Sequence, residues 1–378
     1  MQLCAKLCVT SVVKKSLQKN PFTFHFSNQK SDIRNQTSEI KHPFRIFTPM
    51  HILIVNNTAI PALKYGGTER VIWWLGKALV KAGHQVSYLV APGSSCPFAE
   101  VYPFDPSLPF NQQVPADKGI DIIHLNHMVN ETPLLPHLMT MHGNMNEQVP
   151  LPVNTVFVSR NHAERFCSES YVCNGIDPDD YGDPALATTR SYIHFLGDAA
   201  WRVKNVQGAI DVSRKAKWPL HVIGGHRFNF NQGIRLTFDT HVHFHGMKGG
   251  EEKNQILRNS AAMLFPVRWH EPFGLAITES LYFGCPVFGT PYGSLSEIVT
   301  KEVGYLSASK KELVQALQEI NTYDRKRCHE RVMDAFTATH MMHAYLLKYE
   351  KVLNGHTLNH HSPVLKEIQD EKFLPFGE

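Results

Sequence analysis

A chain of 378 residues with 43% hydrophobic and 19% charged side chains exceeds what one hydrophobic core usually serves, so two domains of a globular protein are expected. The net charge of +4 is concentrated in residues 1–49, where Lys6, Lys14, Lys15, Lys19, Lys30, Arg34, Lys41 and Arg45 face only Asp32 and Glu39. The remainder is slightly acidic, which excludes a broad basic surface for nucleic acid, and no apolar run reaches the roughly 20 residues of a bilayer span.

Residues 1–49 form a basic, acid-poor leader without a clear secretory signal, since Lys14 and Lys15 close its apolar stretch early. Met50 directly precedes the first apolar run, so a dispensable start is the favoured reading, ahead of a transit peptide or ordered structure. Seven cysteines, an odd number without a CxxC pair, argue for free thiols rather than zinc or a redox couple.

From His51 the chain alternates strand and helix. His51–Asn56 is a short continuous apolar run, as in a strand covered on both faces. A Pro/Gly turn follows, then a helix over Thr68–Ala82 with Thr68 as its N-cap and Gly83 as its end. Gln85–Val90 completes a βαβ unit, which implies a parallel sheet. Strands are expected at Asp121–His124, Leu138–Met141 and Thr155–Val158. Turn-rich sequence from Asn174 to Ala187 separates a second series: strand Tyr192–Leu196, helix Val206–Lys217, strands Leu220–Ile223 and Val242–His245, helix Glu251–Asn259, strand Ala262–Val267, helix Leu275–Phe283 and strand Pro286–Gly289. Lys310 to Leu353 reads as mostly helical. The polar segment from His356 reads as poorly ordered.

Three stretches carry chemistry. In His270-Glu-Pro-Phe-Gly-Leu-Ala-Ile-Thr-Glu279, Pro272 suits a first helical turn and keeps Glu271 outside it, with Glu279 inside. The amides of Phe273, Gly274 and Leu275 then open a helix N-terminus suited to phosphate. Tyr65-Gly66-Gly67-Thr68-Glu69-Arg70 lies between the first strand and first helix, on the ligand-binding edge of an open sheet. It is neither a GxGxxG fingerprint nor a phosphate loop. Trp201-Arg202-Val203-Lys204-Asn205 places two cations on a strand-to-helix loop, where they suit a diphosphate.

Together these stretches resemble family 4 (group 1) retaining glycosyltransferases of the GT-B fold, over about residues 51–353. Val158-Ser159 and Asn174-Gly175-Ile176-Asp177 are also similar to that family's pattern. The resemblance implies an α/β fold of two Rossmann-like parallel-sheet domains facing a donor cleft. It implies an acceptor domain over 50–180, a nucleotide-sugar domain over 181–338, a helix over 339–355 crossing back to the first domain, and a tail over 356–378. It further implies a metal-independent, retaining hexosyltransferase without a cofactor, using a UDP-sugar or GDP-sugar donor and a glycan, lipid or small-molecule acceptor.

The family's roles carry over residue by residue. Glu279 would accept from the ribose hydroxyls, and Glu271 would contact the donor sugar. Lys204, with Arg202, would neutralise the diphosphate. Gly66, Gly67, Phe273, Gly274, Leu275 and Asn174 would line the donor site, with His142 near the sugar. Many members carry Arg or Lys just after the first strand of the second domain. Here Asp198 stands there, with Arg202 expected to compensate. A sugar-nucleotide epimerase or hydrolase, or a silent nucleotide- or glycan-binding protein, are the alternatives. A cytoplasmic location, with room for peripheral membrane contact, is the matching expectation. His241, His243 and His245 could align on one strand face, but a metal there is not expected.

Overall fold

The computed structural model describes residues 47–62, 66–230 and 234–377, so the expectations for residues 1–46 and for Tyr65 lie outside the described residues. β1 (His51–Val55) is buried at every position, as its unbroken apolar sequence requires. With β2 (Gln85–Val90), β3 (Glu100–Pro103), β4 (Ile122–Leu125), β5 (His137–Met141) and β6 (Thr155–Phe157) it forms a parallel sheet ordered β3-β2-β1-β4-β5-β6.

The second half repeats that order. β7 (Tyr192–Leu196) and β8 (Leu220–Ile223) precede a short antiparallel hairpin, β9 (Phe228–Asn229) and β10 (Arg235–Leu236). β11 (Val242–Phe244), β12 (Ser260–Phe265), β13 (Val287–Gly289) and β14 (Gly304–Leu306) complete a parallel sheet ordered β11-β8-β7-β12-β13-β14. Both sheets therefore reverse direction beside their first strand, β1 against β4 and β7 against β12. A crevice for ligands opens at such switch points, beyond the strands' carboxyl ends.

Local differences from the sequence reading have local causes. The first helix spans Gly67–Lys81 and is preceded by Gly66, with no side-chain cap, so Thr68 is not its N-cap. Gly66 takes φ 153, a conformation that a side chain would strain, and the turn closes one residue earlier than expected. β3 was not anticipated: it is a half-exposed edge strand of Glu-Val-Tyr-Pro, with no apolar run to mark it. Neither was the β9–β10 hairpin.

The C-terminal helix Ala338–Leu353 packs on the first sheet. Tyr349 Oη meets His124 Nδ1 at 2.7 Å, and Tyr345 Oη meets Thr140 Oγ1 at 2.8 Å. The segment beyond it is not loose, contrary to expectation. Leu365 is 1% exposed and joins a core cluster with Leu53, Leu89, Phe157 and Phe166. Around it Leu151 N donates to Pro363 O, Val364 N to Phe166 O and Lys366 N to Arg165 O, at 2.8–3.1 Å. The chain then reaches the second sheet's loops, where Leu374 N donates to Arg268 O and Lys310 N to Gly377 O, at 2.9 and 2.7 Å. Backbone pairing needs no apolar periodicity, which is why composition gave no sign of this order.

Candidate active site

A cleft of about 320 Å³ lies between the loops at the carboxyl ends of the two sheets. Two helices open on it. Gly67 begins the first, and a Cβ built there would stand 3.9 Å from Leu275 Cδ1, so it faces the start of helix Leu275–Tyr282. Gly274, at φ 83, precedes that helix, again with no side-chain cap. Its missing side chain matters, because a Cβ would meet Ile277 Cδ1 at 2.8 Å and Glu271 Cγ at 3.1 Å. Two helix N-termini without side-chain caps facing one space create a positive field suited to an anion.

Lys204 and Lys253 are buried cations of this space. Lys204 Nζ lies 2.6 Å from Glu271 Oε2 and 4.7 Å from the Trp269 ring centroid. The same carboxylate oxygen accepts from Trp269 Nε1 at 2.8 Å. Glu271 is 6% exposed and Lys204 9%. The backbone of Glu271 is pinned separately: Ser294 N donates to its carbonyl at 2.9 Å. Gly293, at φ 67, lets the chains touch where a Cβ would stand 2.3 Å from that carbonyl.

Glu279 lines the cleft from inside helix Leu275–Tyr282. Its Oε1 accepts from Tyr181 Oη at 2.6 Å, from Lys253 Nζ at 2.7 Å and from Arg70 Nη1. Among the described residues no donor occupies Oε2. Burial alone would push this carboxyl up, but Arg70 and Lys253 with the Tyr181 hydroxyl outweigh it and hold it at about 2. Burial pulls the Lys253 ammonium down, and Glu279 opposes that pull. Arg70 comes from the first domain, so this pair also joins the two walls.

His142 completes the first-domain side, with Nε2 2.8 Å from Asn126 Oδ1. Burial holds its imidazole down, at about 4, so it is neutral near pH 7. Asn174 is 6% exposed and its Oδ1 has no partner. It lines the cleft with Gly67, His142, Lys204, Glu271, Phe273, Gly274, Leu275 and Glu279. Gly66 sits one residue behind Gly67, turning the chain into the helix.

Arg202 is not brought there. It lies in a single 3₁₀ turn, Arg202–Lys204, where about 120° per residue puts positions two apart on different sides. Lys204 therefore turns into the cleft, while Arg202 is exposed against the Phe373 ring, 5.1 Å from its centroid. Asp198 also stays out of the lining, its Oδ1 accepting from Ala200 N at 2.9 Å. Arg70, Lys253, Tyr181 and Trp269 were missed as site residues. Only Arg70 had a signal, as the last residue of the Gly66-Gly67 stretch.

His241 stands apart, bonded to Ser213 at 3.1 Å, while His243 and His245 both approach His221 of the adjacent strand, with ring centroids 5.0 and 4.9 Å from its own. Among the described residues no group of His, Cys, Asp or Glu is arranged to hold a metal. No helix among them is long and apolar enough to cross a membrane.

Residues 180–332 match the family model described as Glycosyl transferases group 1. No curated protein matches the chain. Among solved structures, a glycosyltransferase involved in avilamycin A biosynthesis superposes with a TM-score of 0.66 at 20% identity, covering 82% of this chain and 99% of its own. Sucrose-phosphate synthase from Thermosynechococcus elongatus gives 0.61 at 17% identity, with 81% and 100% covered. HepE of Anabaena, in complex with UDP and glucose, gives 0.57 at 14% identity, with 80% and 99% covered. The fold is GT-B, and residues 180–332 are similar to the group 1 glycosyltransferases.

Proposed function

We propose that this protein moves a sugar from a nucleotide-diphosphate donor, a UDP-sugar by preference, to a hydroxyl of a glycan, lipid or small-molecule acceptor, with retention at the anomeric carbon. The observation that carries this is the buried Lys204, paired with Glu271 beside two helix N-termini without side-chain caps. Such an arrangement is fixed before the reaction. It stabilises negative charge as the glycosidic oxygen of the diphosphate leaves, without solvent having to reorganise. The free Oε2 of Glu279 suits the ribose hydroxyls, and Asn174 Oδ1 offers a second acceptor. Neutral His142 gives its Nε2–H to Asn126, so its Nδ1 can accept one hydrogen bond from a sugar hydroxyl without adding charge. HepE, with its UDP and UDP-glucose complexes, supports the choice of uridine.

The charge on the leaving diphosphate falls to Lys204 and the helix amides, so the proposal includes activity without a divalent ion or cofactor. The silent-protein alternative rests on Asp198 standing where members of the family carry Arg or Lys, and Arg202, on the Phe373 ring, does not supply the missing cation to the cleft. A thermal-shift titration with UDP, GDP, ADP and their sugar conjugates in EDTA tests the donor. A ligand at 100 times its Kd adds about 2.7 kcal/mol, and no shift with any nucleotide would overturn the reading. The anomeric configuration of the product, read by NMR with and without acceptor, tests retention and separates transfer from hydrolysis or epimerisation.

A further inference from the structure

A second cavity, of about 520 Å³, lies outside the donor cleft, and Trp201 lines both. Its walls are the Arg202 turn, Arg235 of the β9–β10 hairpin, Arg268, Lys310, and Phe373 and Phe376 of the C-terminal segment. Asp211 is the carboxylate among its lining residues, and it already pairs with Lys310 at 3.3 Å and Arg214 at 3.1 Å. Arg235 bonds Thr237 Oγ1 and the His226 carbonyl.

Two guanidiniums are left over. Arg202 and Arg268 lie 5.1 and 5.2 Å from the centroid of the same Phe373 ring. Among the described residues Arg268 uses only Nε of its guanidinium, toward Leu374 O at 2.8 Å. Among the described residues Arg202 has no hydrogen-bond or ion-pair partner. An aromatic face offsets part of the mutual repulsion, at about 0.5–1 kcal/mol per exposed contact, but it satisfies none of the planar N–H donors. Two such forks match a dianion with three acceptor oxygens, and a single carboxylate would leave one of them uncompensated.

We propose that this cavity binds the phosphate group of a phosphorylated ligand, held between Arg202 and Arg268 over Phe373. The group can come from a free phosphomonoester or from a lipid headgroup. A lipid source would meet apolar surface beside the cavity, because the hairpin there exposes Phe228, Ile234 and Leu236. The inference does not depend on the identity of the donor in the cleft.

The full chain would be titrated calorimetrically with inorganic phosphate, and in a second arm with vesicles of phosphatidic acid in phosphatidylcholine against phosphatidylcholine alone. The expected result is binding that Arg202→Ala/Arg268→Ala weakens at least about tenfold, as loss of two charge-assisted forks requires, and that Lys204→Ala leaves in place. Response to inorganic phosphate assigns the free source, and response to the acidic vesicles alone assigns the lipid. Arg202 is exposed, so Arg202→Ala by itself should fold and show about a threefold loss if the double variant does not. Binding unchanged in the arginine variants, binding abolished by Lys204→Ala, or no response to either probe would each overturn the proposal.

Discussion

The two cavities treat positive charge in opposite ways. In the cleft Lys204 is paired with Glu271, and Arg70 and Lys253 with Glu279. In the outer cavity, among the described residues, the guanidiniums of Arg202 and Arg268 meet only an aromatic ring and a carbonyl. The difference follows from burial. A buried ion left alone costs several kcal/mol, so deep cations come with their counter-charge. An exposed guanidinium is solvated and can wait for its anion.

Four experiments bear on that contrast. Glu279→Ala strands Lys253 at a buried point and should destabilise the fold by about 3–5 kcal/mol, read by denaturant unfolding, besides weakening nucleotide binding. A loss under about 1 kcal/mol would mean that the pair is no better than a surface one. Lys204→Ala should lower transfer by about 100-fold or more, the scale of removing one preorganised stabilising group, with a smaller effect on donor Kd; equal turnover removes Lys204 from the chemistry. Leu365→Ala should cost about 2–5 kcal/mol, and a neutral result would show that the C-terminal segment does not share the first domain's core. Smallest, Arg202→Ala should leave donor affinity within about twofold, since surface changes away from a site move energies by no more than about 0.5 kcal/mol. A larger loss would return Arg202 to the cleft.

Acidity sharpens the same comparison. The Glu279 carboxyl sits at about 2, below its ordinary 4.5, so the unfolded chain binds its proton first as pH falls. Its contribution is complete above pH 4.5 and lost on descending toward 2. Melting temperatures taken across that window should fall more steeply for the wild type than for Glu279→Gln. Parallel curves would contradict the assignment.

Much of this architecture was legible because parallel strands covered on both faces read as near-continuous apolar runs, as β1, β2 and β12 do apart from His51, Gln85, Ser87 and Ser260. Glu271 and Glu279 were legible because Pro272 and Gly274 mark where a helix begins between them. What surrounds Glu279 was not, since Arg70, Tyr181 and Lys253 come from three separate segments and meet only in the folded chain. Arg202 was misplaced because sequence spacing says that two cations share a loop, not which way a single 3₁₀ turn points each of them. The C-terminal segment was misjudged because its anchors, Leu365, Phe373 and Phe376, follow neither a helical nor a strand period.

That segment has a mechanical consequence. The chain passes from the first sheet to the second near Asn174–Arg190, returns before Ala338, and passes over again between Lys366 and Leu374. Two neighbouring crossings act as a hinge and leave rotation about one axis free. A third crossing fastened elsewhere, to Arg268 and Lys310, works like a guy rope. It caps how far the jaws can swing, and any cargo gripped at Phe373 would tighten or slacken it.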